Sequence, residues 1–259
     1  MSKKWRIYIV GHNSIHDETI KCDKSFNNDN YYFLNVGNKE ELLNASEYKV
    51  INQREFPTYI DMGKQWAESE GLYNLWRSKT YTDLDYIGSI HYDVKLELDK
   101  KFVIGSKHNI TQRINRYINN RERGHISFAT YTTEYDFGQR VMLDPRYPNQ
   151  VTGDGRNCYY KIIDDYNTFF NTDFTVEDFL KIRKVNLCSC FLIDVEGFDK
   201  MMSFFDSVVK GRSLDAYNTD LANRMQGAMA ERYFGLFMLF EYPRMKDLNL
   251  LHMYDAGWK

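Results

Sequence analysis

Short apolar runs that alternate with helical stretches constrain the fold of this chain more than any other sequence feature. The runs "WRIYIV", which ends at Gly11, "YYFLNV" and "YKVIN" are typical of buried strands. Apolar residues at helical spacing follow in "DMGKQWAESEGLYNLWRS", "HNITQRINRYINNRERG" and "EGFDKMMSFFDSVV". This alternation predicts an α/β fold with a mixed, mostly parallel central sheet flanked by helices.

Local signals predict where some of these elements begin and end. Asp61 is expected to cap the helix that follows it, and Gly124 to close the helix that precedes it. "NLCSCFLID" is predicted as one strand, on which Cys188 and Cys190 share a face and pack as small apolar side chains. Residues 132–157 are rich in turn residues and are predicted as a long functional loop.

Composition and charge exclude several classes of protein. The 259 residues are 43% hydrophobic, which supports a full core and excludes general disorder. The formal net charge of −2 predicts no nucleic-acid partner, and the tightest basic group, "RYINNRERGH", is interpreted as a solvated helix end. No run of about 18 apolar residues is present, so no membrane span is expected. Four cysteines without a CxxC pair, and a first segment typical of a strand rather than a signal peptide, favour the cytoplasm.

The stretch "DYIGSIHYD" places His91 and Asp93 at the end of a buried strand. Open α/β sheets bind their ligands there, and residues two apart on a strand share a face. Enzymes that use nucleotide-sugars often hold a divalent ion with Asp-x-Asp at such a strand end. Oxygen ligands suit Mg²⁺ or Mn²⁺, and Mn²⁺ also accepts imidazole. A core histidine followed by a turn aspartate fits the same spacing, so the spacing alone leaves both interpretations open.

Three motifs, in order along the chain, resemble those of one family. "ESEGLYNLW" is similar to E-x-T-x-x-Y-x-x-W, "YIGSIHYD" to Y-I-G-x-x-H-Y-R-R, and "GAMAERYFGLF" to G-F-x-A-E-R-L. With the opening "IYIVGHN", the likeness covers most of the chain. The sequence therefore resembles the glycosyltransferases of bacterial capsular polysaccharide and lipopolysaccharide gene clusters, which also occur in large DNA viruses.

The resemblance implies one GT-A domain over residues 1–259, with a nucleotide-sugar-binding half (1–105) and an acceptor-binding and catalytic half (106–259). It implies transfer of a sugar from a nucleoside diphosphate sugar to a hydroxyl of an oligosaccharide or glycoprotein glycan. The location would be the cytoplasm, or the host cytoplasm for a viral protein, and a homodimer is left open. Asp93 and Val94 stand where the family has two arginines. Arginines could neutralise a diphosphate without metal, whereas Asp93 cannot, so Mn²⁺ or Mg²⁺ is expected.

Glu231 is the first candidate for the general base that takes the acceptor proton, because Gly227 and two alanines leave room for a substrate beside it. Asp220 and Asp215 are the second candidates. A structural interpretation also remains open, in which Glu231 forms an i,i+4-type surface pair or is a buried partner of Arg232 or Arg224.

Donor and metal contacts are predicted from positions near the strand ends and in the loops. The expected metal ligands are His91, Asp93 and His252, since GT-A enzymes often take one ligand from the C-terminal part. The expected donor-binding residues are Val10, Gly11, His12, Asn13, Glu68 and Arg156.

Two other functions compete with this prediction. A sugar nucleotidyltransferase would carry a Gly-rich loop with Arg and Lys after the first strand, where this chain has "GHNSIHDETIKCDKS". A catalytically inactive carbohydrate-binding protein of the same fold is disfavoured because Asp93 and Glu231 are both present. The absence of GxGxxG, GxxxxGK[ST] and GxSxG disfavours dinucleotide-binding, P-loop and nucleophile-elbow enzymes.

Overall fold

The central element of the structure is a seven-stranded mixed sheet. The structure is a computed structural model that describes residues 2–12, 15, 26, 29–37, 46–98, 109–139, 142–144, 157–215, 225–242 and 244–252. Its strands are β1 Trp5–Gly11, β2 Tyr31–Asn35, β3 Val50–Asn52, β4 Tyr86–His91, β5 Val94–Leu98, β6 His125–Ser127, β7 Thr130–Tyr131, β8 Val185–Asn186, β9 Phe191–Asp194, β10 Lys246–Asp247 and β11 Leu250–His252.

The strands of the large sheet follow the order β10-β6-β9-β4-β1-β2-β3. β1 is parallel to β2 and β4, β2 is parallel to β3, and β6 is parallel to β10. Among the described strands of this sheet, only β9 runs antiparallel to its neighbours, which are β4 and β6. Two small antiparallel pairs, β5 with β11 and β7 with β8, complete the strands. The predicted fold class, a mixed and mostly parallel sheet, is confirmed.

Helices cover both faces of the sheet. They are α1 Glu68–Ser78, α2 Ile110–Ile118, α3 Thr133–Phe137, α4 Cys158–Phe170, α5 Val176–Ile182, α6 Val195–Lys210 and α7 Met225–Glu241. Alternate residues of β1 enter different cores: Tyr8 and Val10 pack with α1, α4, α6 and α7, whereas Ile7 and Ile9 pack with α2. Among the described residues, no helix has the length and apolar character that a membrane span requires.

The helix predicted to start after Asp61 begins instead at Glu68. Gly63 has a φ of +91° and Ala67 a φ of +49°, and these two left-handed residues separate a short 3-10 turn from α1. Asp61 accepts a hydrogen bond from the Gly63 amide at 2.9 Å, which closes a local turn. The predicted cap was therefore wrong, because the backbone turns sharply before the helix can start.

The helix predicted to run to Gly124 ends at Ile118, with Asn119 as its C-terminal cap. The Gly124 amide donates to the Asp194 carboxylate at 3.0 Å, at the junction between β9 and α6. Gly124 therefore leads into β6 and does not close α2.

The predicted strand "NLCSCFLID" is interrupted. Cys188 and Ser189 have positive φ values of 58° and 46°, and β9 starts only at Phe191. Both cysteines lie in a turn, where the Cys190 thiol contacts the Cys188 carbonyl at 3.0 Å. The two cysteines therefore do not alternate along one strand as predicted. Part of the predicted loop 132–157 is helical, as α3, and most of the rest lies outside the described residues.

His125 in β6 makes the fold sensitive to acid. It is 1% exposed, neither ring nitrogen has a hydrogen-bond partner among the described residues, and burial lowers its pKa to about 3. In the unfolded chain the His125 imidazole takes up a proton near pH 6.5, whereas in the folded chain it stays neutral. The free energy of unfolding therefore falls as the pH drops below that value. Between pH 7 and pH 5 we expect His125 to remove about 2 kcal/mol from the free energy of unfolding.

Urea unfolding of the wild type and His125→Leu at both pH values tests this expectation. The variant should lose less stability than the wild type by that amount. An equal loss in the two proteins would show that His125 does not govern the response.

Candidate active site

The carboxyl ends of β1, β2 and β4 meet at one edge of the sheet. Val10 of β1 lies beside His91 of β4 in register, and Gly11 lies beside the last residue of β2. The chain then turns at His12 and at Tyr92, whose rings meet edge-on with centroids 5.1 Å apart. Three of the predicted donor-binding residues therefore lie next to a predicted metal ligand. The side chain of Val10 is buried in the core, and its carbonyl accepts a hydrogen bond from the Tyr92 amide at 3.1 Å.

Helix α1 brings Glu68 to the same edge. Glu68 is its first residue, and Gly71, one turn later, packs against the end of β2. A Cβ atom at Gly71 would lie 2.5 Å from the Val36 side chain, so only glycine permits this approach. The first turn of α1 is thereby held over the strand ends.

Helix α7 brings Glu231 beside Glu68 through a second close approach. A Cβ atom at Gly227 would lie 2.9 Å from the Trp66 carbonyl oxygen and 3.0 Å from the Ala67 Cβ. Glu231 follows Gly227 by four residues and therefore lies on the same face of the helix. The glycine that we associated with substrate room instead allows α7 to touch the segment before Glu68.

Glu68, His91 and Glu231 form one group: one ligand atom from each lies within 4.8 Å of the others. The structure thus joins a predicted donor-binding residue, a predicted metal ligand and the predicted base. Two carboxylate oxygens and one imidazole nitrogen are donors that Mn²⁺ accepts. This set differs from the predicted set His91, Asp93 and His252.

Asp93 lies in the turn between β4 and β5. Its Oδ1 atom is buried without a hydrogen-bond partner among the described residues, and so is Nε2 of His91. A buried carboxylate oxygen without a partner is costly, which favours a water molecule or a cation at this point. His252 of β11 is in register with Val94, the residue that follows Asp93. The side chain of His252 lies outside the described part of the structure. The donor set at this turn fits a divalent ion.

The charges of Glu231 and Asp93 both affect the pKa of the Cys188 thiol. Burial, and then the negative charges of Glu231 and Asp93, raise the pKa of Cys188 to about 12. The two carboxylates therefore lie within electrostatic reach of the same side chain. At neutral pH the thiol keeps its proton, so Cys188 is not a nucleophile of this site.

Burial raises the pKa of Glu231, Arg232 and His91 oppose this rise, and Glu68 adds to it. The side chain is 17% exposed and Oε2 accepts a hydrogen bond from Arg232 at 3.2 Å. A carboxylate with a raised pKa holds a transferred proton more firmly, which suits a general base.

Arg232 is held mainly by Asp136, a residue that the sequence analysis missed. Two hydrogen bonds, of 2.8 and 3.2 Å, join the guanidinium to the Asp136 carboxylate, which also accepts from the Tyr159 hydroxyl at 2.6 Å. The Asp136 side chain is 1% exposed. Glu231 is thus a partner of Arg232, as in the structural interpretation, but only one hydrogen bond joins the two side chains. No local signal marks Asp136, because its partner lies in α7.

Three predicted site residues, Asn13, Arg156 and Asp220, lie outside the described residues. Asp215, a second candidate for the base, pairs with Arg212 at 2.5 Å on the exposed surface after α6.

Comparison with solved structures identifies the fold of the chain. The bifunctional glycosyltransferase WbbM, in its apo form, has a TM-score of 0.58 and 13% identity over 95% of this chain and 44% of its own. The chain has a glycosyltransferase fold. The fold implied by the resemblance is therefore confirmed, whereas the viral relationship stays a prediction. The chain spans less than half the length of WbbM.

Two mannosyltransferases are less similar in structure, with TM-scores of 0.38 and 0.42. Ktr4p from S. cerevisiae has a TM-score of 0.38 and 10% identity, over 89% of this chain and 66% of its own. Core-mannan synthase A from Aspergillus fumigatus, in an Mn/GDP form, has a TM-score of 0.42 and 9% identity, over 88% and 69%. Neither a protein-family description nor a curated protein sequence matches the chain.

Proposed function

We propose that this protein is a glycosyltransferase that moves a sugar from a nucleoside diphosphate sugar to a hydroxyl of a glycan acceptor. One observation carries the proposal: Glu68, His91 and Glu231 meet within 4.8 Å at the carboxyl-terminal edge of a glycosyltransferase fold. Ligands of open α/β sheets bind at this edge. The first half, 1–105, contributes Glu68 and His91, and the second, 106–259, contributes Glu231, so both proposed halves form the site.

The donor diphosphate is proposed to lie beside Gly11 and His12, with Asn13 and Arg156 as further contacts. It would face the carboxylate of Asp93, and two negative groups in contact repel each other. His91 and Asp93 would hold a divalent ion there, with His252 and Glu68 as further candidate ligands. A bound Mn²⁺ or Mg²⁺ supplies positive charge that offsets the charge on the departing nucleoside diphosphate.

Glu231 is proposed to accept the proton of the attacking acceptor hydroxyl. Its partial exposure leaves the carboxylate reachable, and its raised pKa favours proton uptake. Arg232 fixes the position of one carboxylate oxygen through the 3.2 Å hydrogen bond. The second candidate for this role is Asp220.

Calorimetric titration with a panel of nucleotide-sugars, with and without Mn²⁺, tests the function. A glycosyltransferase should bind one diphosphate sugar and release its nucleoside diphosphate when an acceptor glycan is added. Preference for a nucleoside triphosphate would indicate a nucleotidyltransferase. Binding of free glycans alone would indicate a carbohydrate-binding protein and would contradict the proposal.

Asp93→Ala is expected to weaken Mn²⁺-dependent donor binding at least about tenfold, because the ion loses a charged ligand. Without Mn²⁺, the variant should be as stable as the wild type or more so, since it lacks a buried oxygen without a partner. His91→Ala should have the smaller effect on donor binding. Calorimetry with and without Mn²⁺ measures donor binding, and thermal unfolding with and without Mn²⁺ measures stability.

The matched control is Asp173→Ala, at an exposed residue in the segment between α4 and α5. Full transfer activity in excess chelator, or unchanged Mn²⁺-dependent binding in Asp93→Ala, would show that Asp93 is a structural turn residue.

A further inference from the structure

A cleft of about 450 Å³ lies between α2 and β10. Its α2 side consists of residues 113, 116, 117, 120 and 121, whose spacing places them on one face of the helix and its C-terminal extension. The lining residues are Arg113, Arg116, Tyr117, Asn120, Arg121, Lys246 and Leu248. Four of them belong to the basic group "RYINNRERGH", interpreted above as a solvated helix end.

The cleft concentrates positive charge. Four of the lining residues that the structure describes are cationic and none is acidic, although the whole chain carries a formal net charge of −2. The cations come from two separate elements, since Lys246 belongs to β10 and pairs with Ile126 of β6. Like charges on neighbouring helix positions destabilise a helix slightly. An anion between the two elements would contact cations from both of them.

The cleft is separate from the candidate active site. The Tyr86 hydroxyl donates to the Arg121 carbonyl at 3.2 Å, and Tyr86 is the first residue of β4, whereas His91 is the last. Five steps along a strand span roughly 16 Å. The cleft therefore does not bind the donor diphosphate proposed above, and the inference that follows does not rest on the proposed function.

The lining residues also suit the organic part of a ligand. The Arg121 guanidinium lies over the Tyr117 ring, 4.6 Å from its centroid, and the buried Leu248 also lines the cleft. Guanidinium groups bind phosphate oxygens through paired hydrogen bonds, and a lysine adds a point charge. We propose that this cleft binds a phosphate ester, with the phosphate at Arg116 and Lys246 and the organic part against Tyr117.

Such a phosphate ester has two sources, an anionic lipid headgroup and a soluble molecule, and two probes distinguish them. The first is sedimentation with mixed phosphatidylcholine–phosphatidylglycerol vesicles, with pure phosphatidylcholine vesicles as reference. The second is calorimetric titration with glycerol 3-phosphate, with glycerol as reference. Each is applied to the wild-type protein, to the cleft variant Arg116→Glu/Lys246→Glu, and to a control variant.

The control variant is Lys181→Glu/Lys210→Glu. It changes the net charge by the same amount at two exposed lysines, in α5 and α6, that do not line the cleft. Circular dichroism and thermal unfolding check that all three proteins fold. If the cleft variant does not fold, Arg116→Gln/Lys246→Gln replaces it, with Lys181→Gln/Lys210→Gln as its control.

We expect the wild type and the control variant to bind at least one probe, and the cleft variant to bind it at least about tenfold more weakly. Binding to the anionic vesicles alone assigns the cleft to a lipid headgroup, and binding of glycerol 3-phosphate assigns it to a soluble ester. Two results would overturn the proposal: no binding of either probe, or equal losses of binding in the cleft variant and the control variant.

Discussion

Glu231→Gln is expected to lower the turnover of sugar transfer at least about a hundredfold, while the dissociation constant for the nucleotide-sugar stays within a few-fold. Glutamine keeps the size of the side chain and an oxygen that can accept the Arg232 hydrogen bond. It cannot take a proton from the acceptor hydroxyl. Because the base acts in the transition state, the loss should appear in turnover and not in donor binding.

The experiment compares three variants at saturating donor: Glu231→Gln, Glu68→Gln and the exposed control Glu177→Gln. Glu68 is the informative partner, since its carboxylate lies in the same group as Glu231. If Glu231→Gln keeps its activity within a few-fold and Glu68→Gln loses it, the base is Glu68. If both remain active, Asp220→Asn is the next variant to measure.

The elements that were predicted well are those whose signals are local. "EGFDKMMSFFDSVV", residues 196–209, was predicted to be helical and lies within α6, Val195–Lys210, which begins after Asp194, whose side chain accepts a hydrogen bond from the Gly197 amide at 2.9 Å. β1 ends at Gly11, as its apolar run predicts. Apolar periodicity and capping act within a few residues, so a single sequence displays them.

The elements that were predicted poorly are set by distant contacts. α1 starts late because the segment before it adopts left-handed conformations at Gly63 and Ala67, directly under α7. The strand before β9 is interrupted at Cys188, whose thiol lies within electrostatic reach of the carboxylates of Glu231 and Asp93. Tertiary packing overrides the local preference in both places, and both places border the candidate site.

The candidate site was predictable residue by residue but not as a group. His91 was expected from its position at a strand end, and Glu231 and Glu68 from motifs. Their meeting depends on the approach of α7 to the segment before α1, which no local pattern encodes. Asp136 escaped prediction for the same reason: the residue that it binds lies 96 positions later in the chain.

Asp136→Ala is expected to lower the free energy of unfolding by about 3–5 kcal/mol, because it leaves the charge of Arg232 buried without its main partner. The Arg232 side chain is 12% exposed, so water replaces little of the lost interaction. Urea unfolding measures the loss, and the exposed Asp173→Ala should stay within about 0.5 kcal/mol of the wild type.

A double-mutant cycle separates this ion pair from simple loss of packing. Arg232→Met leaves the Asp136 carboxylate buried and should be destabilising as well, whereas Asp136→Ala/Arg232→Met removes both charges. The double variant should therefore lose clearly less stability than the sum of the two single losses. Additive losses would mean that the pair contributes no coupling. Strong coupling together with reduced turnover in Asp136→Ala would mean that the buried carboxylate positions Arg232, which in turn holds Glu231.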